Sequence, residues 1–118
     1  MNEPNAHKAL NQLADAAAEL ATVCDREVPD FAATWHTIAS NAQVLGREQA
    51  LLPVQADVAQ LISAIVLLFG YHSGSFAEAY VVRANFDEQL AENVKFDALK
   101  QRVSAAAGAL KQAFLQAG

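Results

Sequence analysis

Apolar positions recur three and four residues apart along most of the chain, the spacing of one face of an α-helix. Leu10, Leu13, Ala17, Leu20 and Cys24 form one such stripe and predict a helix from about Pro4 to Arg26, with the proline suited to a first helical turn. Val28-Pro29-Asp30 ends that helix, because proline restrains the residue before it, and offers Asp30 as the N-cap of the next. Phe31, Trp35, Ile38, Ala42 and Leu45 carry a second stripe, and Gly46 is placed to close its helix in a left-handed conformation. Arg47–Leu52 reads ambiguously, with room for a short helical turn. Pro53 is suited to the start of a third helix that runs to Phe69.

That third helix is the most apolar. Val58, Leu61, Ile62 and the run Ile65–Phe69 leave almost no polar face, which predicts a central helix over about 54–69, covered on most sides by the others. A buried strand competes over Ile65–Phe69, but the three-four spacing upstream favours helix. Phe96, Leu99, Val103, Ala106, Leu110 and Ala113 predict a last long helix from Val94 to about Gln116, with Phe114 alongside. The fold class is therefore all-α: a single helical domain over 1–118, a bundle of four to five helices whose first and last pack on the central one and on each other.

Residues 68–80, LFGYHSGSFAEAY, interrupt this pattern. Gly70 follows the apolar run where a helix stops. Ser75 and Glu78 have the spacing of a capping box, in which each side chain takes a backbone amide of the other, so Tyr71–Gly74 reads as a tight connection. The element after it, Phe76 to about Ala84, contains Tyr80-Val81-Val82, which suits an extended ending. Asn85 and Glu88 repeat the cap spacing and predict a short turn that ends near Asn93, before the last helix.

Charge and cysteine content narrow the functional classes. The 118 residues carry 8 basic and 13 acidic side chains, a net charge of -5, and the basic ones are scattered singly. Nucleic acid is a poor partner for such a chain, since neutralising phosphates needs a clustered basic face. Mild acidity suits a basic protein partner, and equally serves solubility alone. The one cysteine, Cys24, precludes an internal disulfide and makes no demand for an oxidising compartment. The first ten residues lack the pattern of a secretory signal, and the longest apolar stretch, Leu61–Phe69, is about half the roughly 20 residues of a membrane span. A cytoplasmic protein without membrane contact is expected.

Candidate chemistry is sparse. Gly70-Tyr71-His72-Ser73-Gly74 misses the nucleophile-elbow spacing by one position and lacks a preceding strand. His72 stands beside Ser73 and Ser75, but no acid is positioned in the sequence to orient it. His7, His36 and His72 show no metal-ligand spacing, and the Glu-x-x-His pairs of di-iron bundles are absent. Cys24 and Trp35 fall on core stripes, where a buried thiol and an indole whose N–H finds a partner are expected. No catalytic residue, metal or cofactor is predicted.

Asp57, the run ending Leu68-Phe69-Gly70, then Gly74-Ser75-Phe76 with Glu78, then Asn93 and Phe96-Asp97-Ala98-Leu99, resemble a family of small bacterial all-helical proteins without an established activity. Its mark is a leucine- and tyrosine-rich helix end followed by Gly-Gly-Met-Gly-Ser-(Leu/Phe)-Asn-Asp. The likeness covers about the last two-thirds of the chain, with Trp35 as a looser upstream match. Tyr71-His72-Ser73 replaces the glycine and methionine with one residue extra, and Ala77-Glu78 replaces Asn-Asp. The resemblance implies an immunity role, a binding protein that neutralises a bacterial polymorphic or contact-dependent toxin by covering a basic toxin domain. Tyr71, His72, Asp87, Glu88, Glu92 and Asp97 are then the candidate partner surface, with Gly70, Gly74, Ser75 and Glu78 structural. On the plainer reading those carboxylates only favour helix starts and hydrate the surface. Two rival functions stand beside this one: a homodimer built on the apolar stripes of the terminal helices, and an enzyme with its site at the 71–75 loop.

Overall fold

The computed structural model describes residues 3–47, 55–70, 76 and 79–117. These form four α-helices in one all-α domain: α1, Glu3–Glu27; α2, Ala32–Arg47; α3, Gln55–Leu68; and α4, Phe86–Ala117. A 3-10 turn, Pro29–Phe31, joins α1 to α2. The 32 residues of α4 span about 48 Å at 1.5 Å per residue, and this length sets the long axis of a molecule measuring 50 × 25 × 21 Å.

The centre of the bundle is α1, which corrects the expectation of a central helix at 54–69. Packing against α2 on one side and α4 on another, α1 buries Leu10, Leu13, Leu20 and Cys24 together with Ala6, Ala9, Ala16, Ala17 and Ala21. Alanines along the buried faces leave room for two neighbouring helices to approach closely. On the outside of the bundle, α3 touches α2 and α4 and buries Val58, Leu61 and Ile65, while Val66 and Leu67 remain exposed. Hydrophobicity alone thus did not decide which helix is central; side-chain bulk did.

Gly46 is also corrected. It lies inside α2 rather than beyond its end, at the contact with α1: a Cβ built there falls against the Asn11 side-chain amide and 3.4 Å from Leu10 Cβ. Close helix approach, not a left-handed turn, accounts for the glycine. Asp30 does not cap α2 from outside; it sits within the 3-10 turn, whose Pro29 carbonyl accepts the Ala32 N–H. Proline starts helical geometry two residues earlier than the N-cap reading placed it.

The start of α4 follows the sequence and its course does not. Asn85 Oδ1 accepts the Glu88 N–H at 3.0 Å, and the Asn85 carbonyl accepts the Gln89 N–H at 3.0 Å, so the cap forms where expected. The predicted break near Asn93 is absent, and the helix continues unbroken. Asn93 is occupied by another part of the chain, as described next.

Candidate functional site

Downstream of α3 the chain turns at Gly70, whose N–H bonds the Leu67 carbonyl at 3.2 Å, which agrees with its assignment as a helix stop. Tyr71, His72, Gly74, Ser75 and Glu78 lie outside the described residues, and the loop assignments made for them with them. Phe76 is described and fully buried. Its ring lies 5.1 Å from Phe31, 5.1 Å from Trp35, 5.8 Å from Phe69 and 5.7 Å from Phe96, centroid to centroid, in tilted or edge-to-face arrangements. Such arrangements match the quadrupoles of the rings. One residue therefore ties the α1–α2 turn, α2, the end of α3 and α4 together.

Lys100 closes this cluster. Its Nζ stands 4.6 Å from the Phe96 centroid and 5.2 Å from that of Phe76, within cation–π range, and donates to the Ala79 carbonyl at 2.7 Å. Burial pushes its pKa down, with Asp97 at 3.9 Å opposing the shift. The Cys24 thiol, buried on α1, is pushed up to about 11 by burial, with Asp25 adding and Lys100 opposing. Cys24 is accordingly a core residue, as its stripe position indicates. Trp35 differs from expectation in one respect: its Nε1 has no hydrogen-bond partner among the described residues. The neighbouring Phe69 and Phe76 rings, at 5.9 and 5.1 Å, offer no lone pairs to accept it.

From Ala79 to Arg83 the chain forms a strap along α4. Asn93 clamps its middle: the Val81 N–H donates to Asn93 Oδ1 at 2.8 Å, and Asn93 Nδ2 donates to the Val81 carbonyl at 2.9 Å and to the Gln89 carbonyl at 2.9 Å. Gln89 Oε1 accepts the Arg83 N–H at 2.9 Å. The anchors Lys100, Asn93 and Gln89 meet residues 79, 81 and 83 in reverse order, so the strap runs antiparallel to α4. Four extended residues cover about 13 Å and eleven helical ones about 16 Å, which fits an extended strap. Burial alternates accordingly, with Val81 inside and Tyr80 and Val82 outside.

The far end of the strap is held by charge. Arg83 donates through Nη1 to Glu27 Oε1 at 3.1 Å and through Nη2 to Glu27 Oε2, a bidentate pair at the end of α1. The Arg83 hydrogen bond holds the Glu27 carboxyl below its usual range. A carboxylate with a depressed folded pKa stabilises the fold above its unfolded value of about 4.3, and that contribution is lost as pH falls through the folded value. Glu27→Gln is expected to flatten the acid limb of stability below about pH 4. Urea midpoints measured from pH 2 to 7 check this, and an unchanged acid limb would place the acid sensitivity elsewhere.

The four carboxylates assigned to a partner surface do not share one face. Glu88 and Glu92, one turn apart, act electrostatically on Arg83, and Glu92 also pairs with Lys95 at 3.5 Å. Asp87 and Asp97 are exposed on the other side, where Leu90 and Val94 are their neighbours at helical spacings of three and seven. Phe86, Leu90 and Val94, each four residues apart, form a ridge there. Together with Tyr80 and Val82 they are 57% to 74% exposed. They are five of the eight exposed large hydrophobics among the described residues, and Asp87 and Asp97 are exposed beside the ridge.

The extended ending read at Tyr80-Val81-Val82 is present, but sequence reasoning missed that it lies as a strap on α4 and which residues anchor it. A signal was present: Gln89, Asn93, Phe96 and Lys100 follow a core-like spacing on α4 although three of them are polar. Elsewhere, His36 Nε2 and Asp25 Oδ2 meet on the surface at 2.8 Å, and His7 is buried. No group of three metal-ligating side chains occurs among the described residues, nor is any helix among them long and apolar enough to cross a membrane. A groove of about 720 Å³ between α2 and α3 is lined by Thr37, Ile38, Leu45, Leu61 and Ala64, with Asp57 as the one charged group among its described residues. Comparison with models of protein families, with curated proteins and with solved structures gives no match.

Proposed function

We propose that the chain is a non-enzymatic binding protein, an immunity protein that neutralises a bacterial polymorphic or contact-dependent toxin by seating a basic toxin domain on the face made by the strap and the first half of α4. The observation that carries the reading is the ridge Phe86, Leu90 and Val94, continued by Tyr80 and Val82 and flanked by Asp87 and Asp97. A contiguous apolar area rimmed by charge is the ordinary form of a protein-binding patch. Exposed carboxylates beside the ridge favour a basic partner, which also fits the net charge of -5. The motif likeness to toxin-associated proteins supplies the biological class.

The test is capture of partners in the producing cell, followed by reconstitution with the identified toxin domain. A basic toxin domain recovered one-to-one, whose toxicity this chain relieves, is the expected result. Phe86→Ser with Leu90→Ser should then weaken binding about 30-fold, and Asp87→Lys with Asp97→Lys should reduce both affinity and its salt dependence. Unchanged binding in both double variants would remove the assignment. The terminal-helix stripes expected to build a homodimer, Leu10, Leu13 and Leu20 with Val103 and Leu110, are buried within the domain; a second reading places a homodimer on α3 instead, which is apolar on most sides yet leaves Val66 and Leu67 exposed. Sedimentation showing self-association that Leu67→Lys abolishes would establish it in place of the first.

A further inference from the structure

The strap has two edges. On the inner edge, the carbonyl of Ala79, the N–H and carbonyl of Val81 and the N–H of Arg83 are bonded to side chains of α4. In an extended chain the N–H and C=O of alternate residues point to opposite edges. The groups of Tyr80 and Val82 therefore form the outer edge. The Val82 carbonyl accepts from Arg83 Nη1 at 2.9 Å. The Tyr80 N–H, the Tyr80 carbonyl and the Val82 N–H have no partner among the described residues. Both residues are exposed.

An unpaired strand edge is a template for another strand. Resting on the docking face proposed above, we infer that the strap binds its partner by strand addition: an extended segment of the partner pairs its backbone with Tyr80 and Val82 and lays alternate side chains beside the exposed Tyr80 and Val82 side chains. Its occupant is a basic peptide strand, because the chain carries a net charge of -5 and Asp87 stands exposed at the start of α4, beyond the end of the strap. A second copy of this chain is disfavoured on the same ground, since two such faces meeting would bring like charges together. The inner-edge bonds explain why a lone strand persists without a sheet: the side chains of Gln89, Asn93 and Lys100 occupy the place of a neighbouring strand.

Titrating the full-length, ¹⁵N-labelled protein with the blocked heptapeptide Lys-Val-Thr-Val-Thr-Val-Lys tests the inference. The amides of Tyr80 and Val82 are expected to shift and to gain protection from hydrogen exchange. Val82→Pro deletes one outer-edge donor and leaves every inner-edge bond in place; it should keep the unfolding midpoint and weaken the peptide about tenfold, the worth of one hydrogen bond at the upper end of its range. Methylating alternate peptide nitrogens should do the same. Shifts confined to Phe86, Leu90 and Val94, or an affinity left unchanged both by methylating the peptide and by Val82→Pro, would overturn strand addition while leaving the docking face intact. Absence of any shift at millimolar peptide would also overturn it, and capture of the toxin domain would then judge the docking face separately.

Discussion

Replacing Phe76 with alanine is expected to lower the unfolding free energy by about 3–5 kcal/mol, the range for a large aromatic removed from a close-packed core. The expectation rests on position more than size. Phe76 contacts the rings of Phe31, Trp35, Phe69 and Phe96 and lies under the Lys100 ammonium, so its removal opens a cavity where four segments of chain meet. Relaxation into that cavity is limited because each neighbouring ring is held by a different element. Phe76→Leu keeps most of the volume and should cost about 1–2 kcal/mol. Urea denaturation followed by Trp35 fluorescence gives both values, since the indole is 5.1 Å from the altered ring. Should the alanine variant lose less than about 1 kcal/mol, well below the cost of emptying a close-packed aromatic site, Phe76 would not be the centre of the core.

Asn93→Leu carries the second large effect, about 2–4 kcal/mol. Leucine has nearly the shape of asparagine and none of its hydrogen bonds. The Val81 N–H and carbonyl would lose the partners they have at 2.8 and 2.9 Å, beneath a fully buried Val81 side chain. A buried polar group left unpaired costs about 1–3 kcal/mol, and here there are two. Gln89→Ala, by contrast, releases only the Arg83 N–H, in a partly exposed place, and should cost about 1 kcal/mol. Hydrogen exchange separates local from global effects: in Asn93→Leu the Val81 amide should exchange far faster than the interior of α1. If the two substitutions cost the same, or if Val81 stays protected, the clamp is not what holds the strap.

These two residues also mark the limit of what could be read beforehand. Phe76 stands in a short segment with no clear period, so nothing local distinguishes it from Phe31 or Phe69 as the hub of the cluster. Asn93 looks like a helix end because asparagine commonly competes with its own backbone. In the fold its amide is spent on Val81, twelve residues upstream, and the helix passes through. The acidic surface was half legible. Exposure of Asp87 and Asp97 follows from their type, but the division that sets them with the ridge and sends Glu88 and Glu92 toward Arg83 depends on where α4 turns its buried side.

By itself the sequence determined the all-α class, the placement of α1, α2 and α3 to within a few residues, and the cap that starts α4. Each of these is a local matter of period, proline and a side chain bonding a backbone amide three residues on. Only the tertiary structure decided that α1 is central and α3 peripheral, because that choice depends on how closely alanine-lined faces approach rather than on hydrophobicity. It alone decided that the extended ending at Tyr80-Val81-Val82 is laid against α4, since the backbone groups of the strap are satisfied by side chains far along the chain. The candidate docking face is a consequence of the same packing: α4 has one side to bury, α1 and the strap take it, and Phe86, Leu90 and Val94 are left facing water.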